Sequence, residues 1–143
     1  CWCDRLGKRN VLLVSIHVNA AGKGDRWYNA TGWSAYTCKG LTRSDKLADS
    51  LYKQAGLWLP GHRLRMDYSD GDPDIESDFA ILKKTACAAV LTENGFQDCE
   101  ESLQFLESKE GKEDIIGLHV DGILDFINPN REYGYKDLTR HRR

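Results

Sequence analysis

The chain has 143 residues, 41% hydrophobic and 29% charged, which suits one globular domain with a core of its own. Its 20 basic and 22 acidic residues leave a net charge of −2, so nothing electrostatic points to nucleic acid as a partner. No apolar run approaches the ~20 residues that span a bilayer, so no transmembrane segment is expected.

Cys1 to Lys8 reads as the end of a helix stopped at Gly7. Val11 to Ile16 is apolar apart from Ser15 and rich in β-branched residues, which predicts a strand buried on both faces, as in the centre of a parallel sheet. Strand period puts Ser15, His17 and Asn19 on one face and Leu12, Val14 and Ile16 on the other. A histidine where such a strand emerges lies at the carboxyl edge of the sheet, where open α/β folds place their ligands. Taken alone, it reads more simply as a core-edge histidine bonded to backbone. Residues 21–30 form a loop carrying Trp27 and Tyr28. Gly32 to Cys38 is a second strand with Trp33, Ala35 and Thr37 on one face.

Thr42 with Asp45 three residues on forms a capping box. The helix behind it aligns Leu47, Leu51, Ala55 and Trp58 or Leu59 towards a core, and Pro60-Gly61 ends it. Gly61 to Asp74 is irregular and acidic at its end, with Asp70, Asp72 and Asp74 followed by Glu76. Its spacing does not match an EF-hand. The plainer expectation is Asp72 as N-cap and Pro73 as first helical residue, leading to a short helix over Glu76 to Lys84 that buries Phe79 and Leu82. His62 is expected to be a solvated loop histidine. Ala88 to Leu91 is a further short apolar strand, running into Thr92, Glu93 and Asn94. If it parallels the first strand, Glu93 and His17 emerge at the same edge. An imidazole facing a carboxylate there suits a metal site with a general base. Alone, Glu93 reads as a solvated loop carboxylate. Glu100 to Glu107 is a helix with Leu103 and Leu106 inward. Gly111 to Ile127 is a longer one with Ile115, His119, Ile123 and Ile127 along one stripe, which makes His119 a packed histidine at a helix–sheet contact.

The five cysteines, at 1, 3, 38, 87 and 99, are odd in number and scattered, which is no disulfide framework. Cys1-Trp2-Cys3 is too tight for zinc spacing, and Cys38 and Cys87, flanking strands, are expected as buried thiols. This usage suits synthesis in a reducing compartment.

Ser15–Ala20 (SIHVNA) with Leu91–Phe96 (LTENGF) resembles the zinc-dependent N-acetylmuramoyl-L-alanine amidases of the Amidase_3 type. GWSAYT, SDKLADSLYKQA and FAILKKT fall between them in the family's order, so the likeness runs from Val11 to about Ile127. The resemblance implies an α/β fold with a mostly parallel or mixed central sheet and helices on both faces, in three layers. It implies Zn2+ as cofactor, His17 as a metal ligand and Glu93 as the catalytic carboxylate. Asn19 is left to orient His17 or bind substrate, and Trp27, Tyr28 and Trp33 to contact sugar or stem peptide. The implied reaction is cleavage of the amide between N-acetylmuramic acid and L-alanine in peptidoglycan, by a monomer acting at the cell envelope as a phage endolysin or a host autolysin. The alternatives are a non-catalytic wall-binding remnant and a related zinc carboxypeptidase.

The family's other two zinc ligands, in a G-H-G motif and on a following helix, lie upstream of SIHxNA. Only Cys1 to Asn10 precede the strand here. The expectation is therefore a fragment, with residues 1–127 as the last two-thirds of a catalytic domain lacking its first strand and helix. Residues 128–143 are expected as a polar, basic tail or linker, and the fragment by itself as inactive.

Overall fold

In the computed structural model, which describes residues 2–131, alternation along two parallel strands divides the molecule into two cores. These strands are β1 (Leu12–Asn19) and β4 (Ala88–Phe96), and between them in the chain come β2 (Trp33–Thr37) and β3 (Ile75–Glu76). The sheet order is β1-β4-β2-β3. β1 pairs parallel with β4 and β2 parallel with β3, while β2 runs antiparallel to β4. The sheet is mixed, as the resemblance implied.

One face of the sheet presents Leu12, Val14, Trp33, Ala35, Ala88 and Val90 to the main core. Two helices cover it, α2 (Arg43–Trp58) and α5 (Lys109–Ile127). The other face presents Leu13, Tyr36, Ala89 and Leu91 to a smaller cluster closed by Leu82 of α3 (Ala80–Lys83). Helices therefore lie on both faces. α1 (Trp2–Leu6) ends at Gly7, whose φ of 82° and bond from its N–H to the Cys3 carbonyl (2.9 Å) make the expected stop. α4 (Glu100–Glu107) links β4 to α5 with the bounds expected for it.

α2 starts at the predicted capping box. The Thr42 hydroxyl accepts from the Ser44 N–H (3.0 Å), and the Asp45 carboxylate accepts from the Thr42 N–H. Leu47, Leu51, Ala55 and Leu59 are all buried, as their helical spacing requires.

Five expectations are corrected. β1 is not buried on both faces: it is the edge strand among the described residues, and Ile16 and Val18 are exposed. The stretch after Asp72-Pro73 is not a helix entry. Ile75 and Glu76 pair with Tyr36 and Thr37, and the Ser77 N–H bonds the Thr37 carbonyl (2.9 Å), so strand pairing wins over the N-cap signal. Only Ala80–Lys83 is helical, Leu82 is buried, and Phe79, 39% exposed, is not buried but rests its ring against Tyr36. The buried stripe of α5 runs through Leu118, His119 and Gly122 and leaves Ile127 exposed. Gly122 sets this rotation, since a Cβ there would lie 2.7 Å from Leu51 Cδ2, so bare backbone meets α2. Among the cysteines, Cys3 and Cys99 are buried, whereas Cys38 and Cys87 are half-exposed. The expected tail falls outside the described residues from position 132 onward.

Candidate functional site

The face of the sheet that α3 covers is apolar at the start of β1 and β4 and turns polar at their carboxyl ends. There Ser15 and His17 on β1 lie beside Leu91 and Glu93 on β4, with His17 and Glu93 in direct register. In-register neighbours project to the same side, so the imidazole and the carboxylate share one edge and one face. On the far side of β4, Ser34 of β2 stands opposite Glu93.

His17 is exposed, and its Nε2 lies 2.8 Å from Ser15 Oγ. Glu93 is half-buried, and its Oε2 is enclosed without a hydrogen-bond partner among the described residues; the buried Ser34 Oγ likewise has none. Burial pushes the Glu93 carboxyl above its usual range, and the charge of His17 opposes that rise. A carboxylate with one uncommitted, poorly solvated oxygen can take up a proton or hold a cation.

Asn19 ends β1 past a bulge, where its carboxamide oxygen accepts from the Ala20 N–H (2.8 Å). The ring of His17 has Ser15 Oγ as its hydrogen-bond partner. The loop after Asn19 is tied down by Asp98. Its carboxylate accepts from the N–H groups of Ala21 (2.9 Å) and Gly22 (2.8 Å), and its carbonyl accepts from the Tyr28 N–H (2.7 Å). The Ala21 and Gly22 bonds hold the Asp98 carboxyl below the usual carboxylate range. Trp27 on this loop is 59% exposed, whereas Trp33 is 2% exposed and belongs to the core, so Trp33 is removed from the surface candidates.

Behind the edge, on the α2–α5 face, runs a buried polar chain that the sequence did not reveal. Trp33 Nε1 donates to Asn94 Oδ1 (2.8 Å), and Asn94 Nδ2 donates to the His17 carbonyl (2.9 Å) and to Thr92 Oγ1 (3.2 Å). Thr92 Oγ1 lies 2.8 Å from His119 Nε2, and His119 Nδ1 lies 2.7 Å from the Ile115 carbonyl. A carbonyl only accepts, so Nδ1 carries the proton and Nε2 accepts from Thr92. His119 is thus the packed histidine its place on the stripe predicted. Gly95, at φ 72°, keeps the strand end close to α4, where a Cβ would stand 3.1 Å from Ser102 Cβ.

The donor chemistry of His17 and Glu93 suits zinc, but the donor count is incomplete. Among the described residues, neither joins a grouping of three metal-ligating side chains. The grouping that forms, Asp45 with Asp72 and Asp74, lies at the other end of the sheet. A cavity of about 350 Å³ opens on the Asn94 side of β4, between Trp33, His62 and Phe105. His62 is exposed, as expected of a loop histidine, and its ring lies tilted against Phe105 at 4.4 Å between centroids, at the wall of this cavity.

Residues 7–125 match the Amidase_3 family model, described as N-acetylmuramoyl-L-alanine amidase. The endolysin of Bacillus phage SPP1 is 30% identical over 137 residues, covering 92% of this chain and 47% of the endolysin. The N-acetylmuramoyl-L-alanine amidase from Clostridium difficile 630 superposes with a TM-score of 0.69 at 25% identity, over 84% of this chain and 59% of that one. The amidase AmiC2 of Nostoc punctiforme, at 21% identity, shares the fold with a TM-score of 0.70 over 88% of this chain and 62% of its own. The chain thus spans about half the length of the curated relative and about three-fifths of these structures.

Proposed function

Since the chain belongs to the Amidase_3 family of N-acetylmuramoyl-L-alanine amidases, we propose that it supplies His17 and Glu93 to the active site of a peptidoglycan amidase. The bond cleaved joins the lactyl group of N-acetylmuramic acid to L-alanine. The observation that carries this reading is the direct register of His17 with Glu93 at one sheet edge, with Glu93 Oε2 buried and uncommitted.

In this reading His17 is one ligand of a zinc ion, with Ser15 Oγ fixing its ring from the Nε2 side. The ion, when bound, lowers the pKa of a water molecule and polarises the scissile carbonyl. Glu93 accepts a proton from the attacking water at its free oxygen and delivers it to the departing alanine nitrogen. The raised affinity of its carboxyl for a proton suits it to both transfers. In this reading Asn19, at the end of β1, and the exposed Trp27, on the loop clamped by Asp98, contact sugar or stem peptide. On the same reading the protein acts as a monomer on the cell wall, as a phage lysin or a host autolysin. The other zinc ligands of this reading are not found among the described residues.

One observation favours a second reading, a wall-binding remnant without catalysis: no third donor joins His17 and Glu93 among the described residues. Product analysis on purified peptidoglycan separates the two. The amidase releases peptides with new L-alanine amino termini and no new reducing sugar ends. Wall binding without any new amino termini from the full-length protein overturns the enzymatic reading, and new carboxyl ends within the stem peptide indicate a carboxypeptidase instead.

A further inference from the structure

We propose that Asp45, Asp72 and Asp74 bind a divalent cation of the calcium class, at a site separate from His17 and Glu93. Each of the three offers a carboxylate oxygen, and these oxygens lie within 4.8 Å of one another. The site joins the first turn of α2 to the irregular segment that leads into β3. It sits at the carboxyl end of β2, beside Thr37. Because β2 runs antiparallel to β4, this is the end of the strand pair away from Glu93.

Acidic clusters are common without a ligand; Asp74 makes this one different. It is 2% exposed, so its carboxylate has left bulk water almost completely. Its Oδ2 accepts from the Thr37 hydroxyl at 2.5 Å. Its Oδ1 is enclosed with no partner among the described residues, and Asp72 Oδ1 is also enclosed and also has none. Burying a carboxylate oxygen without a donor or a cation is among the most unfavourable arrangements a fold can hold. Burial, reinforced by Asp72 and Asp45, pushes the Asp74 carboxyl up to about 7.

Among the described residues no ion pair reaches these three carboxylates, although Lys46 borders the same groove. The ion pairs of the described residues use Lys53, Lys83, Lys109 and Arg131. Arg43 borders the same groove, but its guanidinium lies over Phe126 and donates to the Arg9 carbonyl. Asp49, one turn along α2, and Asp70 border it too, so further oxygen donors stand at its mouth. A set made only of oxygen ligands, with no imidazole or thiolate, selects a hard cation over zinc. Bound there, the ion ties the loop carrying His62 and Arg65 to α2.

The test is calcium binding by the chelator-treated protein, followed by isothermal titration and thermal unfolding. One calcium per chain is expected, with magnesium weaker. At free calcium a hundred times the dissociation constant, the melting temperature should rise by roughly 10 °C. Asp72→Asn, on the half-exposed member of the trio, should abolish binding and the shift while melting no lower than the parent in chelator. His17→Ala should leave the calcium response intact. No saturable calcium binding up to about 10 mM, beyond the weak end of known protein sites, overturns the proposal and leaves Asp72 and Asp74 sharing a proton. A stabilising response to zinc with none to calcium overturns it equally. If Asp72→Asn fails to fold, the parent's own titration decides.

Discussion

Replacing Asn94 by alanine removes the one side chain that ties the core to the backbone under His17. Its carboxamide, 3% exposed, donates to the His17 carbonyl and to Thr92 and accepts from Trp33 Nε1. Each net hydrogen bond is worth about 1 kcal/mol, and the Trp33 N–H left buried without an acceptor adds about 1–3 kcal/mol. Thr92 keeps His119, so its loss is small. The expected cost of Asn94→Ala is therefore about 2–4 kcal/mol, a large share of the stability of a domain this size. Urea unfolding of the parent, Asn94→Ala, Trp33→Phe and the double variant measures it. Trp33→Phe deletes the donor, so the double-mutant cycle should return a coupling of about 1–2 kcal/mol. Metal affinity, measured where the variant is still folded, should fall as well, because the His17 carbonyl loses its anchor. A coupling below about 0.5 kcal/mol, within the scatter of independent sites, would refute the reasoning.

On the reading proposed above, Glu93→Gln should keep zinc while turnover falls roughly 10²–10⁴-fold, and His17→Ala should lose metal and activity together. Zinc content and turnover on purified peptidoglycan check both, and a Glu93→Gln protein without zinc would make Glu93 a ligand. His119 is buried and neutral, with its pKa pushed down by burial, so the unfolded chain binds the proton more readily. Its contribution to stability is complete above the unfolded histidine pKa of about 6.5 and is lost as pH falls below it. The urea midpoint should drop on acidification, and by less in His119→Gln. Gly122→Ala would gain up to about 1 kcal/mol of helix propensity, but the new methyl would sit 2.7 Å from Leu51 Cδ2 and 3.0 Å from Leu51 Cα. Overpacking of about 1–3 kcal/mol should win, and a variant more stable than the parent would overturn the tight α2–α5 contact.

Local signals survived into the structure. The capping box at Thr42 and Asp45 depends on residues three apart, and it formed as read. The apolar runs ending in His17 and Glu93 named two neighbouring strands, because a polar residue closing a buried run has few places to go. What depended on distant partners was not legible. Trp33 reaches Asn94 across 61 positions and Asn94 reaches His17 across 77, so nothing local distinguished Trp33 from a surface aromatic. The two-residue strand β3 exists because Thr37 offers a pairing edge, a fact invisible at Asp72-Pro73. The expected stripe of α5 holds at Ile115 and His119 and fails at Ile127, while the close contact at Gly122, where the two helices touch, left no apolar signal to read.

On the reading proposed above, the pairing of β1 with β4 would make activity a readout of strand alignment. Side chains alternate with a period of two, so a slip of one residue along β1 would set Ile16 or Val18 opposite Glu93 in place of His17. The same slip would turn Leu12 and Val14 away from the main core. A mispaired molecule therefore has no partial function to offer. In a refolded preparation, the activity per milligram should count correctly aligned chains one by one, while helix content, set largely by α2 and α5, would report misaligned and aligned molecules alike.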